Sequence, residues 1–176
     1  MNVSEFIVKE LLKHGINTAF SVTGGGSMYL NDAIGKNKKF NKIYMHHEQA
    51  CSMAAEAYAR VKKKPALLCV TTGPGGINAL NGVFGAYTDS IPMIVISGQV
   101  KRQTSMSFNK VGKLRQLGDQ ENDIIYMVKK ITKKNFLIKK KSYLLNNFKT
   151  ILKISEDNRP GPIWIDIPID IQGEKI

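Results

Sequence analysis

The sequence predicts a three-layer α/β/α domain with a central, mostly parallel sheet. Its strand-like runs ALLCVT (66–71), MIVIS (93–97) and PIWIDIP (162–168) are almost continuously apolar, as strands covered on both faces must be. Segments of helical spacing separate these runs, so strand and helix alternate along the chain. Glycine-rich turns follow two of the strands, and ligands in such folds collect at the carboxyl ends of strands. The 176 residues suit a single domain with a real core.

Val3, Phe6, Ile7, Leu11 and Leu12 recur at helical spacing over residues 3–14, and Gly15 is a natural stop. Residues 18–22 read as a short strand that ends in the loop Thr23-Gly24-Gly25-Gly26-Ser27. A helix over about 28–35 and a strand over 42–45 follow. The next helix starts at Glu48 and runs to about Lys63, with Pro65 marking its end. After the strand at 66–71, residues 72–76 read as a turn and 77–87 as a helix rich in small residues. Residues 99–121 are polar and weakly patterned, more like a loop over a site than core. A helix near 122–130, a strand near 135–138, an amphipathic helix at 142–155 and the strand at 162–168 complete the chain. No internal repeat, low-complexity linker or second domain is evident. The loops at 23–27, 46–48, 72–76 and 98–121 all fall at predicted carboxyl ends of strands, which places the expected site there.

Hydrophobic content of 43% and charged content of 23% are ordinary for a globular chain, which argues against a disordered or fibrous protein. No apolar run reaches eighteen residues, so no membrane partner is expected. The N-terminal MNVSEFIVKELLKHG carries acids within its apolar pattern, unlike a signal peptide. Cys51 and Cys69 lie in apolar segments and make no disulfide framework, so a reduced, cytoplasmic setting is the simplest expectation. The net charge of +12 raises the question of nucleic acid. Its lysines fall in short clusters flanking predicted elements, without an arginine-rich or aromatic-interleaved strip. A lysine-rich surface is expected instead, with no nucleic-acid partner.

Neither glycine loop fits a nucleotide fingerprint: G-x-x-x-x-G-K-[ST] is missing, and no G-x-G-x-x-G stands at a strand-to-helix turn. His46 and His47 lack a third ligand at metal spacing, and Ser27 and Ser97 lack a nucleophile-elbow context. Glu48 stands out. In HHEQACSMAAEAYAR it opens a helix whose next seven residues carry no charge, and no neighbour along the chain obviously pairs with it. A carboxyl at the edge of a buried surface is a place where a proton becomes useful.

The stretches VTGGG, HEQACSMAAEAYAR, VTTGPGGINALNGVFGAYTDSIPMIVISGQV, ITKKNF and RPGPIWIDIP together resemble the amino-terminal pyrimidine-binding domain of thiamine diphosphate-dependent enzymes. The nearest branch is acetohydroxyacid (acetolactate) synthase and its relatives, and the likeness runs in order through nearly the whole chain. It implies that Glu48 hydrogen-bonds a ring nitrogen of the cofactor's aminopyrimidine. That contact prepares the cofactor to lose its C2 proton and attack the carbonyl of a 2-keto acid. By the same resemblance Pro74 and Asn78 line the pyrimidine pocket, Gly25 lies in a tight turn facing the reacting carbons, and Gln120 reaches toward cofactor and substrate. Two positions depart from the synthases. Val22 replaces an aromatic residue, and Asp119 replaces a substrate-facing phenylalanine, which points to a polar or larger donor or acceptor.

The resemblance also implies Mg²⁺ and, in the synthases, FAD. The diphosphate and metal would be bound by a GDG…N segment, which these residues lack, and FAD by a middle domain that is likewise missing from them. The chain is therefore expected to be folded but catalytically silent alone, as one domain of a long enzyme. The alternatives are the pyrimidine-binding subunit of a split enzyme and a non-catalytic module of the same fold. Because the family's cofactor lies between subunits, a homodimer or homotetramer formed through the pyrimidine domain is expected, with the small-residue helices 48–63 and 77–88 as packing faces.

Overall fold

In a computed structural model, which describes residues 1–109 and 111–176, six parallel strands form one sheet. The strands are β1 (Thr18–Ser21), β2 (Asn41–Tyr44), β3 (Ala66–Val70), β4 (Met93–Gln99), β5 (Lys134–Leu137) and β6 (Pro162–Pro168). Their order is β2-β1-β3-β4-β6-β5. The chain moves outward from β1 to β2, then crosses back to β3 on the other side of β1. The crevice above the β1–β3 pair is thus the topological switch point where open α/β sheets bind ligands.

Each face of the sheet carries its own apolar layer because successive strand side chains point to opposite sides. Leu67, Cys69, Ile94, Ile96, Ile163 and Ile165 face one layer. It is covered by α1 (Val3–Lys13), α2 (Met28–Lys36) and α7 (Lys141–Ile154), which contribute Ile7, Leu11, Leu30, Leu144 and Phe148. Leu68, Val70, Val95 and Trp164 face the other layer, under α3 (Glu48–Lys62), α5 (Leu80–Thr88) and α6 (Ile124–Val128). Both faces of β3, β4 and β6 are buried throughout, which is why these strands read as unbroken apolar runs.

Three expectations need correction. Residues 72–76 are not one turn: helix α4 (Pro74–Asn78) already begins at Pro74, whose ring suits a first helical position. The predicted helix 77–87 is broken at Ala79, where the chain passes from α4 into α5 through a tighter turn, Ala79 N–H to the Gly76 carbonyl at 3.2 Å. A short helix, α8 (Ile169–Gln172), follows the last strand, burying Ile171 and bonding Gln172 Nε2 to the Gly26 carbonyl at 2.8 Å.

Small residues of α3 and α5 also pack the domain itself. They join the two helices to each other within the domain: a Cβ on Gly82 would lie 2.5 Å from the Met53 nitrogen and the Ser52 carbonyl carbon. What these helices and α4 turn outward are the large side chains of Met53, Ile77, Phe84 and Tyr87, all exposed.

Candidate active site

Three loops meet above the switch point. After β1, Gly25–Ser27 forms a single 3₁₀ turn. Thr71, just past β3, binds this turn by accepting the Gly26 N–H at 3.0 Å. Thr71 side-chain atoms lie where a Cβ on Gly24 or Gly75 would stand, at 2.5 and 2.8 Å. Thr72 continues the seam, donating to the Gly98 carbonyl at 3.0 Å, and Gly98 in turn has no room for a Cβ against the Gly26 carbonyl. Gly24, Gly26 and Gly75 therefore make room for the Thr71 and Thr72 side chains, and Gly98 lets the end of β4 approach the Gly26 backbone. Sequence reasoning missed Thr71 and Thr72. The only signal is their place between a buried strand and a glycine turn.

Gly25 is different. It is exposed, and no atom lies within 4 Å of where its Cβ would stand. Its backbone is not left-handed, so nothing inside the domain requires glycine at this point.

Glu48 opens α3, with His47 as N-cap: His47 Nδ1 accepts the Gln49 N–H at 3.1 Å. The α3 N-terminus favours a negative charge in its first turn. The Glu48 residue is only 9% exposed, although it stands at a helix end. Its partner is invisible in local sequence. Asn78, at the end of α4, donates its amide to Glu48 Oε2 at 2.9 Å. Among the described residues Oε1 accepts no hydrogen bond, and it faces the Gly75 position, where a Cβ would approach to 3.4 Å. The carboxyl is thus clamped by one oxygen and presents the other.

Gln120 reaches the same region by backbone. It adopts a left-handed conformation, φ 56°, and its carbonyl oxygen occupies the space where a Cβ on Gly73 would stand. Gly73 is itself left-handed at φ 64°, and Pro74 stands exposed beside it. Glu48, Asn78, Pro74 and Gln120 thus surround the α4 turn, and Thr71 joins that turn to the Gly25 loop. Val22 is half-buried against the α3 side of the core, while Asp119 is exposed.

Behind the site lies a buried polar network. Asp166 on β6 accepts Ser97 Oγ at 2.5 Å and Gln99 Nε2 at 3.1 Å, and Trp164 Nε1 donates to Ser97 Oγ at 2.8 Å. Burial pushes the Asp166 carboxyl up to about 7; the bonds from Ser97 and Gln99 oppose this, and the nearby charge of Asp123 adds to it. Cys51 and Cys69 are free and buried, and burial pushes their thiols up to about 11 and about 12. Neither is a reactive thiolate near neutral pH.

A heterocycle with a ring nitrogen suits this arrangement: one carboxyl oxygen is presented beside a glycine turn, with open space at Gly25. Comparison with known proteins points the same way. The chain is 37% identical over 168 residues to the acetolactate synthase large subunit of Buchnera aphidicola subsp. Acyrthosiphon pisum, covering 96% of this chain and 28% of that protein. It is 36% identical to the large subunit from Haemophilus influenzae, over 95% of this chain and 28% of the relative. It is 32% identical to the chloroplastic acetolactate synthase of Arabidopsis thaliana, over 96% and 24%. The chain spans about a quarter of the length of these relatives. Residues 1–123 match the family described as thiamine pyrophosphate enzyme, N-terminal TPP binding domain, and the chain belongs to that family.

Proposed function

We propose that this domain binds and activates the aminopyrimidine of thiamine diphosphate in a 2-keto acid decarboxylase or carboligase of the acetolactate synthase type. The observation that carries the proposal is the Glu48 carboxyl, buried at the start of α3, held at Oε2 by Asn78 and open at Oε1. When bound, the cofactor supplies a nucleophilic carbon and an electron sink for loss of carbon dioxide. The protein's part is to manage one proton. Because Oε2 accepts the Asn78 N–H, a proton on Glu48 resides on Oε1, aimed outward at the pyrimidine. Pro74 stands exposed at the start of α4, Gly25 leaves room for the reacting end, and Gln120 approaches over the Gly73 turn.

Only half a site is built here. Diphosphate and Mg²⁺ are assigned to a domain outside these residues, as is FAD if the enzyme uses it. A homodimer or homotetramer formed through this domain would bring that other half to Glu48, and the exposed face of Met53, Ile77, Phe84 and Tyr87 supports such pairing. The exposed Asp119, where the synthases carry phenylalanine, favours a polar or larger 2-keto acid. Two free, buried cysteines support a reduced, cytoplasmic setting.

The test is Glu48→Gln in the assembled enzyme, which keeps the side chain's size but removes its titratable proton. Loss of general acid–base catalysis typically costs about 10²–10⁴-fold, and turnover should fall by that order with the fold intact. Exchange of the C2 proton of bound cofactor should slow in parallel. Equal exchange rates in wild type and variant would reduce Glu48 to a helix-terminal acid.

A further inference from the structure

The segment between β4 and α6 folds around a single carboxylate that the reading above does not use. Glu121 is half-buried, and its two oxygens gather four donors from both ends of that segment. Oε1 accepts Ser105 Oγ at 2.7 Å and the Met106 N–H at 2.6 Å; Oε2 accepts the Leu117 and Gly118 N–H groups, each at 3.2 Å. Burial alone would raise this carboxyl, but the four bonds together hold it below its ordinary value. At this junction Gly118 packs without room for a Cβ, 2.5 Å from the Thr104 carbonyl oxygen and 3.0 Å from Val100.

Gln120 immediately precedes Glu121 and is left-handed, a conformation that disfavours any residue with a Cβ and persists only where surroundings enforce it. Its carbonyl sits against Gly73, beside the α4 turn that carries Pro74 and Asn78. Gln99 secures the far side, its Nε2 bridging the Asn122 carbonyl at 3.1 Å and Asp166. The chain is thus fixed on both sides of Gln120, and on the loop side the agent is Glu121.

We propose that Glu121 is a positioning residue: its four hydrogen bonds fix the loop so that Gln120 is held left-handed over the Gly73 turn, and it acts on the reaction only through Gln120. This rests on the assignment of Gln120 to the site. Glu121→Gln keeps size and one acceptor oxygen but turns an amide N–H₂ toward donors on one side. Losing hydrogen bonds to a charged group of this kind corresponds to roughly 10- to 100-fold.

Two measurements test it. In the 176-residue chain, amide hydrogen exchange at Met106, Leu117 and Gly118 should accelerate about tenfold or more in Glu121→Gln, while amides of the sheet keep their wild-type rates. In the assembled enzyme, kcat of Glu121→Gln should fall by about tenfold. The Gln120→Ala/Glu121→Gln double variant should be no slower than Gln120→Ala alone, because residues acting through one another are non-additive. Unchanged exchange at those three amides overturns the proposal. So do fully additive losses in kcat, which would give Glu121 a route independent of Gln120. A Gln120→Ala enzyme with full kcat would instead remove Gln120 from the site, and the exchange rates, which need no activity, would still decide whether Glu121 holds the loop.

Discussion

Glu48 and Asp166 are both buried carboxyl residues at the carboxyl end of the sheet, and their surroundings give them different work. Glu48 keeps one oxygen open toward the surface, whereas both Asp166 oxygens are taken up by Ser97 and Gln99 within the core. The Asp166 carboxyl, pushed up to about 7, binds its proton more tightly in the folded chain than in the unfolded one, where its ordinary value is 3.8. Folding therefore takes up a proton between these values. The contribution of this residue to stability is greatest in acid and falls as pH rises through that window, levelling above about 7. Asp166→Asn removes the titration and keeps an acceptor, so its stability should depend less on pH between 4 and 7 than that of wild type. Urea midpoints of both proteins across that range would decide; parallel profiles would mean that Asp166 stays ionised in the folded chain. Glu48 was singled out in the sequence by the uncharged run behind it. Asp166 was not, because PIWIDIP reads simply as a strand, and only the pairing of β6 with β4 sets Asp166 beside Ser97.

Helix α5 carries two glycines with opposite surroundings, and they separate packing from propensity. Gly82 faces the α3 backbone, with the Ser52 carbonyl carbon 2.5 Å from its would-be Cβ, while Gly85 has nothing within 4 Å and is exposed. Gly82→Ala should destabilise the domain by about 1–3 kcal/mol, because a methyl group there forces α3 and α5 apart. Gly85→Ala should stabilise it by roughly 0.5–1 kcal/mol through helix propensity alone. Chemical denaturation of the two variants checks the pair, and a loss at Gly85 or neutrality at Gly82 would contradict this packing. The elements themselves were largely legible: all six strands lie within a residue or two of their predicted places, and for β3, β4 and β6 the reason is burial on both faces, which demands apolar runs. The α4–α5 break was not legible. Nothing in the residues over 75–79 marks a break at Ala79, and the α4 end it defines carries Asn78, which bonds Glu48.

The assembled domain leaves a group of large apolar side chains, Met53, Ile77, Phe84 and Tyr87, exposed on the face beside the Glu48 site. Large apolar side chains left exposed on neighbouring helices mark interaction sites. Concentration-dependent self-association is expected in sedimentation experiments, and Phe84→Glu should weaken it by roughly tenfold or more, as loss of a central aromatic anchor does. A strict monomer at high protein concentration would count against pairing through this face. The described residues include no helix long and apolar enough to cross a membrane. Periodicity and turn chemistry are local properties of the chain, so the layer architecture, the order of elements and the loops above the switch point were legible in the sequence. Resemblance pointed to Glu48, Pro74, Asn78, Gly25 and Gln120, and the structure sets Glu48, Pro74, Asn78 and Gln120 about the α4 turn. Strand order and crossover, not local pattern, let Asn78 clamp one oxygen of Glu48, Thr71 join two glycine loops, Glu121 gather both ends of a polar segment, and Gly82 of α5 pack on the α3 backbone. Apart from the short reaches of Glu121 to Leu117 and Gly118 and of Thr71 to Gly75, these contacts join residues from fifteen to forty-seven positions apart. Such contacts depend on strand order and crossover, and local patterns of side-chain chemistry carry no record of either.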